Sequence, residues 1–172
     1  MKKLYIIRHA KSSWKDLALS DFDRPLNRRG KSNALFMGEL LAQKGIKPDI
    51  IVSSPAKRAF ETSNTIAKAL DYSIQRIVYK MEIYEASVSA LFDIIASVDN
   101  QDQSLFLIGH NPSLNLLLER LVPSNTIENI VTAGIVELEL NISKWRDISP
   151  RTTRLVSFEY PKKHLEIYTQ VA

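Results

Sequence analysis

The stretch Leu4-Tyr5-Ile6-Ile7-Arg8-His9 decides how the chain is read. Four consecutive apolar residues are too short a run for a helix and suit a strand buried on both faces. The run ends abruptly on an arginine and a histidine. The same pattern recurs twice. Asp49-Ile50-Ile51-Val52-Ser53 leads into Ser54-Pro55-Ala56-Lys57-Arg58, and Leu105-Phe106-Leu107-Ile108 leads into Gly109-His110-Asn111. Amphipathic segments lie between these runs. Arg28 to Lys44 carries a helical apolar stripe, with Asn27 placed as N-cap and Gly45 as C′ glycine. A helix is expected from about Ala56 to Leu70, and Ile74 to Val78 reads as a third strand. Val88, Leu91, Ile94, Ile95 and Val98 recur at helical spacing behind Ser87, a natural cap. Pro112 to Leu121 is expected to be helical, its proline in the first turn where the missing N–H costs nothing. Ile135 to Leu140 and Leu155 to Tyr160 read as strands completing the sheet, at least one of them antiparallel. The alternation predicts an α/β fold, a three-layer α/β/α sandwich with a mostly parallel central sheet, formed as one domain over residues 1–172.

Composition narrows the function. The chain has no cysteine, which removes disulfides, thiolate metal sites and cysteine nucleophiles together. The formal net charge of +4 suits an anionic ligand but is too small to demand a polyanion. The apolar run at the N-terminus is too short for a signal peptide or a membrane span, so cytoplasm is the default expectation. The basic residues are scattered rather than interleaved with aromatics, so no nucleic-acid platform is expected. Gly30-Lys31-Ser32 imitates the end of a P-loop, but Pro25 stands where the first glycine is required. Three histidines without an HExxH pattern or adjacent acidic cluster give no metal constellation, so neither metal nor cofactor is expected.

In a doubly wound sheet, ligands bind beyond the carboxyl ends of parallel strands, where the strand order reverses. If the three runs are parallel neighbours, Arg8, His9, Arg58 and His110 converge on one crevice. A guanidinium grips two phosphate oxygens at once and keeps its charge. The helix after Ser53 adds N–H donors and a positive dipole end. An imidazole among these cations is held neutral and nucleophilic. The expected chemistry is phosphoryl transfer, stabilised electrostatically on the equatorial oxygens.

Arg8-His9-Ala10-Lys11-Ser12-Ser13-Trp14 resembles the RHG signature of the histidine phosphatase superfamily, which includes the cofactor-dependent phosphoglycerate mutases. Ser53 to Thr62 resembles the family's second motif, and Gly109-His110-Asn111-Pro112 its third. Asp23-Arg24-Pro25-Leu26, followed by Arg29-Gly30, is most similar to the SixA-type phosphohistidine phosphatase branch. The resemblance implies a phosphoglycerate mutase-like fold with His9 as the phosphorylated nucleophile. It implies Arg8 and Arg58 as phosphate clamps and His110 as a further donor. It also implies a proton donor after the third strand, where Glu82 fits best by position and Glu85 is the runner-up. Ala10 replaces the glycine of many members, and Lys15 replaces an asparagine of mutase-like members.

Among the other residues, Arg24 and Lys15 are candidate substrate contacts, with Asp23–Arg24 alternatively a structural ion pair. Ser54 reads as part of the next helix's cap, Thr62 as support, Trp14 as a lid or packing residue, and His164 as structural. The expected activity is hydrolysis of a phosphoryl group by a phosphatase of the histidine acid type through phospho-His9. The favoured substrate is a phosphorylated protein carrying phosphohistidine. The alternatives are a broad-specificity phosphatase of small phosphorylated metabolites and a non-catalytic phosphate-binding module.

Overall fold

A computed structural model describes residues 1–165. Six strands form one sheet in the order β3-β2-β4-β1-β5-β6. They are β1 (Lys2–Arg8), β2 (Ile50–Ser53), β3 (Val78–Tyr79), β4 (Ser104–Gly109), β5 (Ile135–Leu140) and β6 (Thr153–Glu159). β1, β2, β3 and β4 run parallel, whereas β5 is antiparallel to both β1 and β6. Among the described residues, four helices pack on the sheet: α1 (Arg28–Gln43), α2 (Lys57–Ala69), α3 (Val88–Ala96) and α4 (Ser113–Leu121).

Period-2 alternation sorts the strand side chains into two cores. Leu4, Ile6, Leu105 and Leu107 face one side, where Leu91 and Ile95 of α3 and Leu114 and Leu118 of α4 cover them. Tyr5, Ile7, Phe106 and Ile108 face the other, under Ala34, Met37 and Leu41 of α1 and Ala59 and Ile66 of α2. Three layers follow from strands that are apolar on both faces.

The third strand differs from expectation. Ile74–Arg76 form a 3₁₀ turn, and only Val78 and Tyr79 pair with β2, opposite Val52 and Ser53. At this sheet edge Ile74 is 38% exposed, so its β-branched side chain buries too little to hold a longer strand. The other elements shift by one or two residues at their ends. Asn27 caps α1 by accepting from the Gly30 N–H at 2.7 Å, and Ser87 caps α3 by accepting from Ala90 at 3.1 Å. After Pro161 the chain makes a 3₁₀ turn, Pro161–His164.

The register sets the site. Ile108 of β4 lies opposite both Ile7 of β1 and Ser53 of β2, and Arg8 lies opposite Gly109. The three strands therefore end level. The chain leaves β1 toward the α1 face and leaves β4 toward the α4 face, so the β1–β4 boundary is the switch point of the sheet.

Candidate active site

His9 and His110 emerge at that boundary with ring centroids 5.0 Å apart. Both are buried, at 8% and 6% exposure. His9 Nδ1 lies 2.7 Å from the Ala10 carbonyl oxygen, which can only accept. The proton is thus fixed on Nδ1, and Nε2 keeps its lone pair. Arg58 Nε donates to that Nε2 at 3.4 Å. Burial, and after it the charges of Arg58, Arg8 and Arg24, lower the His9 pKa from 6.5 to about 4, against the opposing Ala10 hydrogen bond. Burial lowers His110 further, to about 3, with His9 and Arg58 adding to it. Two neutral imidazoles among arginines satisfy what a nitrogen nucleophile requires at neutral pH.

Arg58 is the second residue of α2, which brings it beside His9. Its backbone carbonyl accepts from Thr62 Oγ1 at 2.7 Å, and the same hydroxyl accepts the Ala10 N–H at 3.0 Å. Thr62 thereby ties the loop after β1 to the first turn of α2. It has the supporting position expected of it. Ser54 does more than begin a helix. Its hydroxyl accepts from the Ala56 N–H at 3.2 Å and also lies 2.8 Å from His110 Nε2, fixing that ring. Ala56, the N-cap of α2, makes no side-chain cap bond of its own.

Asp21 and Tyr84 were not among the sequence candidates. Arg58 Nη1 donates to the Asp21 carbonyl oxygen at 2.7 Å, and Nη2 donates to its carboxylate at 3.1 Å. Arg24 Nη1 donates to the other carboxylate oxygen at 2.9 Å, and the Tyr84 hydroxyl donates to the first at 2.7 Å. The Tyr84 hydrogen bond, helped by the Arg58 charge, holds the Asp21 carboxyl down at about 2 against partial burial. The same bond raises Tyr84 to about 12. The Asp21 carboxylate therefore takes up donors of Arg58, Arg24 and Tyr84 together. Nothing in the loop's local pattern marks Asp21, because it is one of three aspartates in an aperiodic segment.

The remaining candidates divide. Arg24 is buried, pairs with Asp21 rather than Asp23, donates to the Ser12 hydroxyl, and has its guanidinium carbon 3.3 Å from the Trp14 ring centre. Asp23 instead accepts from the Ser20 hydroxyl at 2.8 Å. Arg8 donates from Nη1 to the Ile130 carbonyl at 2.9 Å and acts on His9 and His110 through its charge. A crevice of about 370 Å³ is lined by Asp21, Arg58, Tyr84, Glu85, His110 and Asn111 among others. Glu82 and Glu85 are both exposed, but Glu85 lines the crevice and Glu82 does not. The reason is the turn Met81–Ile83, which buries Ile83 against Gly109 and leaves Glu82 in solvent. A Cβ on Gly109 would lie 2.9 Å from Ile83 Cγ2, so the close approach needs that glycine. Lys15 is also exposed and outside the crevice lining. His164 pairs with Glu159 at 2.5 Å, far along the sequence from these motifs. Among the described residues no cluster of His, Cys, Asp or Glu is arranged to hold a metal ion, and no helix is long and apolar enough to cross a membrane.

Two atoms identify what is missing a partner. Among the described residues, the buried side-chain nitrogens or oxygens without one are Arg8 Nε and His110 Nδ1. Buried polar groups are otherwise almost always satisfied, so orphans on two residues flanking His9 point to a ligand-binding centre.

Comparison with known proteins places the family and the fold. The model of the histidine phosphatase superfamily (branch 1) matches residues 4–91, and the chain belongs to that superfamily. Its fold and motifs are those of the SixA type, and they support phosphatase activity. The structure of a protein of Agrobacterium tumefaciens assigned as the phosphohistidine phosphatase SixA is 30% identical, with a TM-score of 0.78, over 93% of this chain and 99% of that one. The protein histidine phosphatase SixA complexed with tungstate has a TM-score of 0.79 over 94% of this chain and 98% of its own, and at 20% identity it speaks to the fold alone. An uncharacterized chloroplastic protein of Arabidopsis thaliana is 31% identical over 118 residues, 64% of this chain and 54% of that protein. The chain thus spans about half the length of that curated relative.

Proposed function

We propose that the chain is a phosphohistidine phosphatase acting on a phosphorylated protein, with His9 as its nucleophile. The observation that carries this reading is the pair of orphaned buried nitrogens on Arg8 and His110, set around a His9 whose Nε2 lone pair is free of a proton. The substrate phosphoryl group displaces the Asp21 carboxylate from Arg58, one anion replacing another on the same donors. His9 Nε2 attacks phosphorus in line as the bond to the substrate imidazole breaks, and the departing nitrogen takes up a proton. Water then attacks phospho-His9, releasing phosphate and restoring the neutral ring. Arg8, Arg58 and His110 stabilise the equatorial oxygens in both steps, which is where the catalysis of this reaction lies.

Glu85 is the carboxyl the crevice offers to a leaving group, and it takes the role that position alone assigns to Glu82. An imidazole leaves more readily than an alkoxide, so this acid matters little for phosphohistidine and much for a monoester. A macromolecular substrate is supported by Trp14 and Leu17, 67% and 88% exposed on the loop that leads to Asp21. The test compares kcat/KM for a phosphohistidine protein with that for a panel of phosphomonoesters. The phosphohistidine protein is expected to be preferred by at least about tenfold, a difference of ~1.4 kcal/mol in the barrier. A preference for a small monoester overturns the substrate while leaving the nucleophile in place.

A further inference from the structure

A second cavity, of about 350 Å³, reaches Arg8, the residue before His9. Arg8, Lys11, Arg29 and Lys162 line it, together with Asn33 and Thr132. Among the described residues, no carboxylate lines it. The crevice at Arg58, by contrast, includes Asp21 and Glu85. None of the four cations is paired with a carboxylate among the described residues. Like charges gathered without counter-charges repel one another, and a concave wall concentrates the resulting potential.

The backbone positions of Lys11 and Arg29 are fixed by a close contact. The Lys11 carbonyl accepts the Asn27 N–H at 2.9 Å, and a Cβ on Gly30 would come within 2.1 Å of that oxygen. This contact presses the Lys11 loop onto the first turn of α1, which carries Arg29. Lys162 comes from the turn after β6. Arg8 ties this cavity to the catalytic histidine, since the next residue is His9 and the Arg8 Nε lacks a partner.

We propose that this cavity is a second anion subsite, which takes a carboxylate or phosphate group carried by the substrate beside the phosphoryl group transferred to His9. The proposal rests on the phosphatase reading for its link to turnover, but binding in the cavity does not depend on that reading. For a phosphoprotein substrate the group is an acidic side chain or a second phosphate near the phosphohistidine. Arg8, next to His9 in the chain and lining the subsite, then couples its occupancy to the placement of the phosphoryl group. Arg29 and Lys162 supply charge-assisted contacts that the crevice itself lacks.

Two measurements test it. First, inorganic phosphate is titrated into the ¹⁵N-labelled full chain, and the backbone amides of Asn33 and Thr132 are followed. They are expected to shift in saturable fashion in the native chain, and the shift is expected to weaken at least about tenfold in the Arg29→Gln/Lys162→Gln double variant. Unchanged amides overturn the proposal, whether or not the chain hydrolyses phosphohistidine. Second, kcat/KM is compared for two phosphohistidine peptides differing only in flanking glutamates replaced by glutamines. The native chain is expected to favour the acidic peptide by about tenfold, and the double variant is expected to bring the ratio close to one. Equal rates in the native chain, with phosphate still shifting the amides, mean an adventitious ion only and overturn it. Absence of turnover on both peptides, with the amide shifts present, retires the phosphohistidine reading and leaves the anion subsite standing.

Discussion

Asp21 is the residue on which the resting state of the site depends. Its carboxylate engages Arg58, Arg24 and the Tyr84 hydroxyl together, where the proposed function puts a phosphoryl group on Arg58. Any incoming anion must compete with it. Asp21→Asn keeps the shape and removes the charge. Two unit charges at about 4 Å interact by ~1 kcal/mol in water and by several times that near a protein surface, and half-exposed Asp21 falls toward the lower figure. Inorganic phosphate should therefore inhibit the variant several-fold more tightly than the native chain, read as a competitive inhibition constant. Weaker inhibition would mean that Asp21 chiefly orients Arg58 rather than competing with the ligand. At this scale the sequence marks residues that follow the end of a strand and leaves unmarked those that reach in from a loop. Arg8, His9 and His110 were visible because an apolar run stops on them. Asp21, Tyr84 and the role of Ser54 in fixing His110 depend on contacts between segments distant in the chain, and no periodicity encodes those.

At the scale of elements, the loop after β1 is held by backbone contacts more than by side chains. Gly30 matters most, since a Cβ there would lie 2.1 Å from the Lys11 carbonyl oxygen and 2.9 Å from its carbon. The obstructing atoms are main chain and cannot swing aside as a side chain can. Gly30→Ala is expected to cost roughly 2–3 kcal/mol in urea unfolding, at the upper end of overpacking. A loss below about half a kilocalorie would show that the loop is free to move. The strands of this region were legible because β1, β2 and β4 are apolar on both faces. β3 was not, because two pairing residues at a sheet edge leave almost no pattern to read. The helices were legible to within a turn from their stripes and caps, Asn27 and Ser87 among them.

At the scale of the whole molecule, burial of two histidines makes stability depend on pH. The folded chain holds His9 at about 4 and His110 at about 3, against 6.5 for an unperturbed imidazole. Between those limits the unfolded chain binds more protons than the folded one, so stability rises with pH through the window. It is fully present above about pH 6.5 and lost progressively as the pH falls toward 3. Because the two rings interact, the loss from pH 7 to pH 5 is of order 2–4 kcal/mol for the pair together, read by urea unfolding at the two values. Equal stability at both would show that the rings are solvated. His9→Ala should flatten part of this dependence, since one of the two groups is then gone. The three-layer fold was readable in outline from the alternation of strands and helices, but the level ends of β1, β2 and β4 that unite the site follow from register.

The central claim is that His9 takes the phosphoryl group. The most direct measurement is rapid quenching of the full chain during turnover of a phosphohistidine protein, under alkaline denaturing conditions that preserve phosphohistidine, followed by mapping of the phosphorylated residue. A single phosphoryl group on His9 is expected, absent from a folded His9→Ala variant that has also lost turnover. Phosphoryl transfer to another residue, or turnover retained in the variant, would contradict it.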